Sequence, residues 1–165
     1  MKVTGQVAPG VQAIQNFARQ VLARITDLRE GQSRIQKQIF GLIQENFATS
    51  GRLSGGWAPL SRRYKERKAR EVQQGKIKST EPNVRTGRLR ESFNSGPDSV
   101  SEFDSSTNTF RIGSTVPYYQ FIKSGTRLTP PRPVIAASDQ FRGRLRVIFE
   151  AELSANVGRI KPLKS

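Results

Sequence analysis

The sequence predicts a single α+β domain, in which two N-terminal helices and a C-terminal helix pack on a small antiparallel sheet with long loops. Three observations predict this class. Apolar residues recur at helical spacing near both ends of the chain, short alternating stretches occupy the middle, and turn-forming residues separate the segments. At 165 residues the chain fits one hydrophobic core.

The domain is expected to cover residues 10–155, between an N-terminal arm at residues 1–9 and a basic C-terminal tail at residues 156–165. Inside it, residues 72–83 have no apolar period and many turn formers, which indicates an exposed loop and a candidate mobile segment. Neither an internal repeat nor a second domain is expected.

Two helices are predicted at the start of the domain because apolar residues recur every three or four positions. Gly31 weakens helix continuity between them, with Asp27 and Ser33 as candidate caps, and the second helix ends near Gly51. The apolar positions of the first helix are Val11, Ile14, Phe17, Val21, Ile25 and Leu28. Those of the second are Ile35, Ile39, Leu42, Ile43 and Phe47.

A short basic helix is predicted after the sequence RLSGG at residues 52–56, which indicates a flexible joint. Pro59 and Ser61 are suited to start this helix, which is expected to run to about Glu71 with Leu60 and Tyr64 facing inward. Its basic face is either a solvated surface or a contact with DNA or a neighbouring protein. The basic residues are Arg62, Arg63, Lys65, Arg67, Lys68 and Arg70.

The sheet is predicted from three short stretches with partial alternation, Leu89–Ser95, Val100–Phe103 and Phe110–Gly113. The aromatic segment Tyr118–Ile122 favours a short helix closed by Gly125, and the following TPPRP sequence favours an extended arm. A C-terminal helix of about four turns is then predicted. Its apolar positions are Phe141, Leu145, Ile148, Phe149 and Leu153.

The composition excludes many enzyme classes. The chain has no His and no Cys, so it lacks the commonest general base and the commonest metal ligands. Its carboxylates lie mostly beside basic residues, and Asp98, Glu102 and Asp104 do not have the spacing of a calcium loop. We therefore expect no catalytic residues, no cofactor and no metal site. The absence of a long apolar run also predicts a soluble, unsecreted protein.

The charge of the chain points to an anionic partner. Lys and Arg number 28 against 13 Asp and Glu, which gives a formal net charge of +15. Such an excess is typical of proteins that neutralise phosphates, including ribosomal proteins, nucleoid proteins and proteins that line a passage for DNA. The charge alone does not choose among them.

Three short motifs are more specific. The first joins a turn to the sole tryptophan and a helix start, and we interpret Trp57 as a buried anchor. The second places Thr86, a candidate cap or turn bond, before Gly87. The third is an aromatic segment ending at Gly125 and followed by the Pro-rich arm. The motif residues are Trp57, Pro59, Leu60, Ser61, Tyr64; Thr86, Gly87, Leu89, Arg90, Ser92; Tyr118, Gly125; and Arg132, Pro133.

In this order and spacing, the motifs resemble the phage virion-morphogenesis and tail-completion family. That family has W-x-P-L-S-x-x-Y, then T-G-x-L-R-x-S, then Y-A-x-x-H-Q-x-G before R-P-F. The resemblance covers about residues 40–135. This chain departs from the pattern at Ile122 and Lys123, where the family has His-Gln, and at Val134 in place of Phe.

The resemblance implies a non-enzymatic structural protein of the virion neck or tail, assembled in the host cytoplasm. It would form a ring of roughly six or twelve copies, contact neck, connector and tail-tube proteins, and touch packaged DNA without sequence specificity. It implies no membrane partner. The alternative is a basic nucleic-acid-binding protein, ribosome- or nucleoid-associated, with Tyr64, Tyr118 and Tyr119 as stacking groups.

Overall fold

The fold is taken from a computed structural model, which describes residues 16, 18–23, 26–94, 96–136 and 138–159. Helical backbone at residues 16, 18–23 and 26 agrees with the first predicted helix at those positions, where Val21 is half-buried. Leu28, just after them, is buried in the core. The predicted N-terminal arm and the apolar positions Val11, Ile14, Phe17 and Ile25 lie outside the described residues.

Helix α1, Gln32–Ala48, confirms the second predicted helix. The five apolar residues predicted to face inward are all buried, as their helical period requires. Gly31 is the N-cap and makes no side-chain cap bond, so neither Asp27 nor Ser33 caps the helix. The Asp27 carboxylate instead accepts hydrogen bonds from Arg29.

The segment after α1 is a packed turn, so the predicted flexible joint is wrong. Arg52–Ser54 forms a 3-10 helix and Leu53 is only 1% exposed. The Leu53 N–H donates to the buried Asn46 side chain at 2.9 Å. Gly51 has φ +82°, and the Trp57 indole fills the space that a β-carbon there would occupy. Only glycine combines that backbone conformation with that contact.

Helix α2, Arg62–Gln73, starts as predicted and ends two residues later than Glu71. The Ser61 side chain caps it by accepting a hydrogen bond from the Tyr64 N–H. Leu60 and Tyr64 are half-buried, in agreement with the predicted inward orientation.

The following loop is only partly exposed, because it is closed on itself. The Lys78 N–H donates to the Arg85 carbonyl at 2.9 Å, and Ile77 is buried at 7% exposure. The predicted exposed loop over residues 72–83 is therefore wrong at its start, which is helical to Gln73, and around Ile77.

The stretch predicted as the strand Leu89–Ser95 is a helical turn, α3, Arg88–Glu91. Gly87 turns the chain into it with φ +90°. Leu89 and Phe93 are both buried, at the four-residue spacing that puts two side chains on one side of a helical turn. A spacing of four residues is also a multiple of the two-residue period of a strand, so the same pair is compatible with the strand prediction.

The other two strands are confirmed. β1, Ser99–Asp104, and β2, Thr109–Ser114, pair antiparallel with Phe103 opposite Phe110. The Phe110 ring also contacts that of Phe149 at 5.9 Å between centroids, which packs one face of the two-stranded sheet against the C-terminal helix. Two strands need such a cover to be stable.

The C-terminal third of the chain follows the prediction with one extension. α4, Tyr119–Ser124, is the short aromatic helix, and residues 130–133 have no regular secondary structure. α5, Asp139–Gly158, is capped by the Ser138 side chain and is longer than the predicted four turns, because its helical residues include the first three of the predicted tail. Residues 160–165 lie outside the described residues.

The helices and the two-stranded antiparallel sheet confirm the predicted α+β class. The core lies between α1, α5 and the middle loops. Phe47 lies near its centre, with ring contacts to Trp57 and Phe93. Ile148 of α5 joins the same cluster. Within the described residues, no helix has both the length and the apolarity needed to cross a membrane.

An ion pair between a buried carboxylate and a half-exposed guanidinium joins α5 to the start of α1. The Glu152 side chain is 6% exposed and accepts two hydrogen bonds from the Arg34 guanidinium, one of them at 3.0 Å. A second guanidinium, that of Arg159, lies 3.9 Å away. The hydrogen bonds from Arg34 hold the pKa of Glu152 below its usual value. Gly31 leaves the room that the Glu152 side chain occupies.

Replacing this carboxylate, Glu152→Gln, should lower the free energy of unfolding by about 1–2 kcal/mol near neutral pH, since a charge-assisted hydrogen bond is lost. The folded state lowers the pKa of Glu152, so its stabilisation is fully present above the pKa of the unfolded chain, ~4.3, and is lost as the pH falls through the lower pKa of the folded state. The difference between the two proteins should therefore shrink in acid, as measured by urea unfolding. The exposed Glu150→Gln is the control. If the wild type and Glu152→Gln differed in free energy of unfolding by the same amount near neutral pH and in acid, the ionised Glu152 carboxylate would not be the source of the stabilisation.

Candidate functional site

Arg132 joins the first sequence motif to the third. Its Nε donates to the Ala58 carbonyl at 2.7 Å and its Nη2 donates to the Pro59 carbonyl at 3.1 Å. Its backbone N–H donates to the Ile122 carbonyl at 2.8 Å, and its own carbonyl accepts a hydrogen bond from the Asn83 side chain at 3.1 Å. One residue thus joins the first motif, the loop before the second, and α4.

Trp57 strengthens the same junction. Its Nε1 donates to the Pro133 carbonyl at 2.7 Å, and its ring packs edge-on against Phe47 with centroids 5.4 Å apart. The buried anchor predicted at Trp57 is therefore confirmed, at 7% exposure. We refer to the bonds that Arg132 and Trp57 make between residues 57–59 and 132–133 as the Arg132 clamp.

The second motif forms the wall beside this clamp. The Thr86 hydroxyl accepts a hydrogen bond from the Arg88 N–H at 3.4 Å, the turn bond expected there. Leu89 is 1% exposed. The Ser92 hydroxyl donates to the Leu89 carbonyl at 2.8 Å and lies 2.7 Å from that of Ser114, which ties the turn to the end of β2.

The third motif ends in a projecting turn. Gly125 has φ +75°, and a β-carbon there would lie 2.9 Å from both the Thr129 carbonyl oxygen and the Pro131 nitrogen. The chain then folds back through a bridge between Thr126 and Thr129. Leu128, near the tip, is 91% exposed. We call residues 126–129 the tongue.

Together the three motifs line a groove of about 840 Å³, which we call the motif groove. Its lining contains three basic side chains, and none of its described lining residues is Asp or Glu. The basic residues are Lys68, Arg85 and Arg132. The apolar and aromatic walls are formed mainly by Leu60, Tyr64, Leu89, Tyr118, Ile122 and Leu128.

Lys68 corrects the predicted basic face of α2. It was expected to face DNA or a neighbour, but it is 2% exposed, and its ammonium donates to the carbonyls of Glu81 and Val84 at 2.6 and 2.7 Å. Burial lowers the pKa of Lys68, and repulsion from Arg85 lowers it further. Lys68 therefore pins the loop to the helix. Its four-residue spacing from Tyr64, on the inward side of α2, was the sequence signal for this.

Arg132 is the second buried cation of the groove, at 8% exposure. Burial lowers the pKa of Arg132. Among the described residues, no carboxylate lies within 4.0 Å of Arg132 or of Lys68. Both positive charges are solvated by backbone carbonyl oxygens rather than neutralised by a counter-ion.

The outer side of α2 carries exposed cations, of which only some pair with a carboxylate. Arg62 pairs with Glu66 at 3.0 Å, and Arg67 lies 3.7 Å from Glu71 and over the Tyr64 ring. In the part of the chain that the structure describes, three further exposed cations of this helix have no carboxylate within ion-pair distance. These are Arg63, Lys65 and Arg70.

No family model, curated protein or solved structure matches this chain. Function is therefore inferred from the clamp, the motif groove and the exposed surfaces. Sequence reasoning missed two parts of this arrangement. Asn46, on the apolar side of α1, donates to the Val134 carbonyl at 2.8 Å, and only its position between Ile43 and Phe47 indicated burial. The exposed Leu128 at the tongue gave no periodic signal at all.

The Arg132 clamp predicts a difference between two cations of equal charge. Arg132→Lys keeps the charge, but an ammonium cannot reproduce the planar fork that reaches both carbonyls, so the free energy of unfolding should fall by about 2–3 kcal/mol. Urea unfolding followed by Trp57 fluorescence measures this. Arg127→Lys, on the exposed tongue, is the matched control and should change nothing. Equal free energies of unfolding for Arg132→Lys and Arg127→Lys would mean that the Arg132 clamp does not stabilise the fold.

Proposed function

We propose that this chain is a structural protein of a tailed-phage virion, which forms a homo-oligomeric ring at the neck or at the head-proximal end of the tail. In that position it would act as a completion or terminator protein that joins head to tail around the DNA path. The observation that supports this most is that residues of all three resemblance motifs line one groove, where Arg132 joins the first motif to the third. Motifs that lie far apart in sequence but build one junction are better explained as a shared fold element than as separate chance matches.

The exposed apolar residues provide material for subunit contacts. A closed ring uses head-to-tail interfaces, so each subunit needs two different surfaces. One is offered by Leu128 on the tongue and Phe121 on α4, which are 91% and 55% exposed. The other is offered by Val147 and Val157 on α5, a helix that contributes no residue to the motif groove. A contiguous exposed apolar patch is typical of a protein-contact surface, and these residues are the candidates for such patches.

The charge distribution fits a position around DNA. Arg63, Lys65 and Arg70 extend from α2 without carboxylate partners among the described residues, and the whole chain has a formal charge of +15. A row of exposed cations neutralises phosphates without reading sequence, which suits a passage through which DNA moves.

The alternative of a nucleic-acid-binding protein draws on the same cations, but its stacking groups are poorly placed. Arg67 covers the Tyr64 ring at 4.8 Å, and Tyr119 packs edge-on against the buried Phe93 at 5.2 Å. Of the three tyrosines considered, Tyr118 alone is exposed, at 40%. These three tyrosines therefore cannot act together as stacking groups for bases.

Assembly can be tested on the full chain by native mass spectrometry. The wild type should form a closed oligomer of one size, and Leu128→Ser should shift it to monomers while leaving the free energy of unfolding within about 0.5 kcal/mol, because Leu128 is almost fully exposed. Leu22→Ser is the matched control, since Leu22 is 62% exposed but lies on neither proposed surface. A monomer at every concentration, binding DNA stoichiometrically and in a salt-sensitive way, would overturn the proposal in favour of the alternative.

A further inference from the structure

We propose that the motif groove is the docking site for an acidic and apolar peptide segment of a neighbouring protein, with a carboxylate of that segment bound by Arg132. This rests on the proposed function only in making the neighbour another virion protein. The groove chemistry itself is argued from the side chains that line it.

Arg132 has unused hydrogen-bonding capacity. A guanidinium has five N–H donors, and this one donates through Nε and Nη2 to Ala58 and Pro59. No hydrogen bond from its Nη1 to a described residue is present, yet no buried side-chain nitrogen or oxygen among the described residues lacks a partner. The Nη1 end is therefore accessible, and it can be reached from the groove that Arg132 lines.

The positive charge of Arg132 has no counter-ion among the described residues. Arg85 pairs with Glu71 at 3.2 Å, and Glu71 and Glu81 attract Lys68 from outside the groove lining. No described carboxylate has a comparable effect on Arg132. In a partly desolvated site, a cation without a counter-ion attracts an anion more strongly than it would in water. The planar guanidinium also matches the geometry of a carboxylate.

Apolar and aromatic side chains line the groove together with Arg132. Leu60, Ile122 and Leu128 lie on the walls with the rings of Tyr64 and Tyr118. The volume of about 840 Å³ lies within the ~300–1,000 Å³ of sites that bury most of a small ligand. A carboxylate flanked by apolar side chains along an extended peptide satisfies both the cation and the walls.

Two other occupants fit less well. Duplex DNA presents its phosphates on a wide outer surface, which cannot reach a guanidinium that is 8% exposed. Within the groove itself, a second copy of this chain would offer fewer carboxylates than an acidic segment, since it has 13 Asp and Glu against 28 Lys and Arg. An acidic segment of a different protein is the occupant that the charge of the groove favours.

The test uses the full wild-type chain and three probes: a short peptide of alternating Leu and Glu, the same peptide with Gln in place of Glu, and single-stranded oligothymidylate. Trp57, which contacts the segment carrying Arg132, reports binding through its fluorescence and its indole N–H resonance. The Glu peptide should saturate the signal, with the Gln peptide at least about tenfold weaker. Equal binding of both peptides, or a response to oligothymidylate alone, would overturn the proposal.

Variants locate the site without depending on Arg132, whose loss would also weaken the fold. Arg85→Gln, at the groove, should weaken binding of the Glu peptide several-fold, whereas Arg63→Gln, the same charge change outside the groove lining, should leave it unchanged. An equal loss in both variants would reduce the effect to net charge and overturn the proposal. Ring formation without peptide binding would remove this inference alone. Peptide binding by a permanent monomer would remove the proposed ring alone.

Discussion

The guanidinium of Arg132 binds two carbonyl oxygens that lie 74 and 73 residues earlier in the chain. Residues 57–60 and residues 130–133 belong to no helix or strand, so no backbone ladder holds the two segments together. The Trp57 indole adds a third hydrogen bond across the same gap. These bonds satisfy polar groups that are largely removed from water, where an unpaired donor or acceptor is costly. The position of the groove walls depends on this junction.

The same requirement connects the fold to its proposed contacts. A guanidinium held by carbonyls keeps its full charge, because dipoles solvate it without neutralising it. The clamp therefore leaves a positive charge at the base of an apolar groove, and Lys68, held by two carbonyls in the same way, adds a second one nearby. Solvated cations on the outer side of α2 are a separate surface, suited to phosphates rather than to a buried carboxylate. The structural role and the proposed binding role thus fall on the same residue, Arg132, and not on the whole basic helix.

Much of the fold could be predicted from the sequence because local periodicity determines it. The apolar residues of α1 and α5 show the helical period, and the turn residues around β1 and β2 separate the strands. Leu89 and Phe93 were misread, since so short a stretch shows alternation and helical spacing equally well, and the helical turn is selected by burial against Phe47. The groove could be predicted only as motif residues. The bonds of Arg132 to Ala58 and Pro59 are long-range contacts, and the burial of Lys68 depends on a loop that folds back over it.

The most direct measurement of this junction is hydrogen exchange at the Trp57 indole N–H, observed by NMR in the wild type and in Arg132→Lys. If the motifs form one unit, this proton is protected in the wild type by its bond to the Pro133 carbonyl, and it exchanges much faster when only Arg132 is changed. Fast exchange in the wild type, or unchanged protection in the variant, would mean that the two halves of the clamp are independent and that Arg132 does not hold the motifs together.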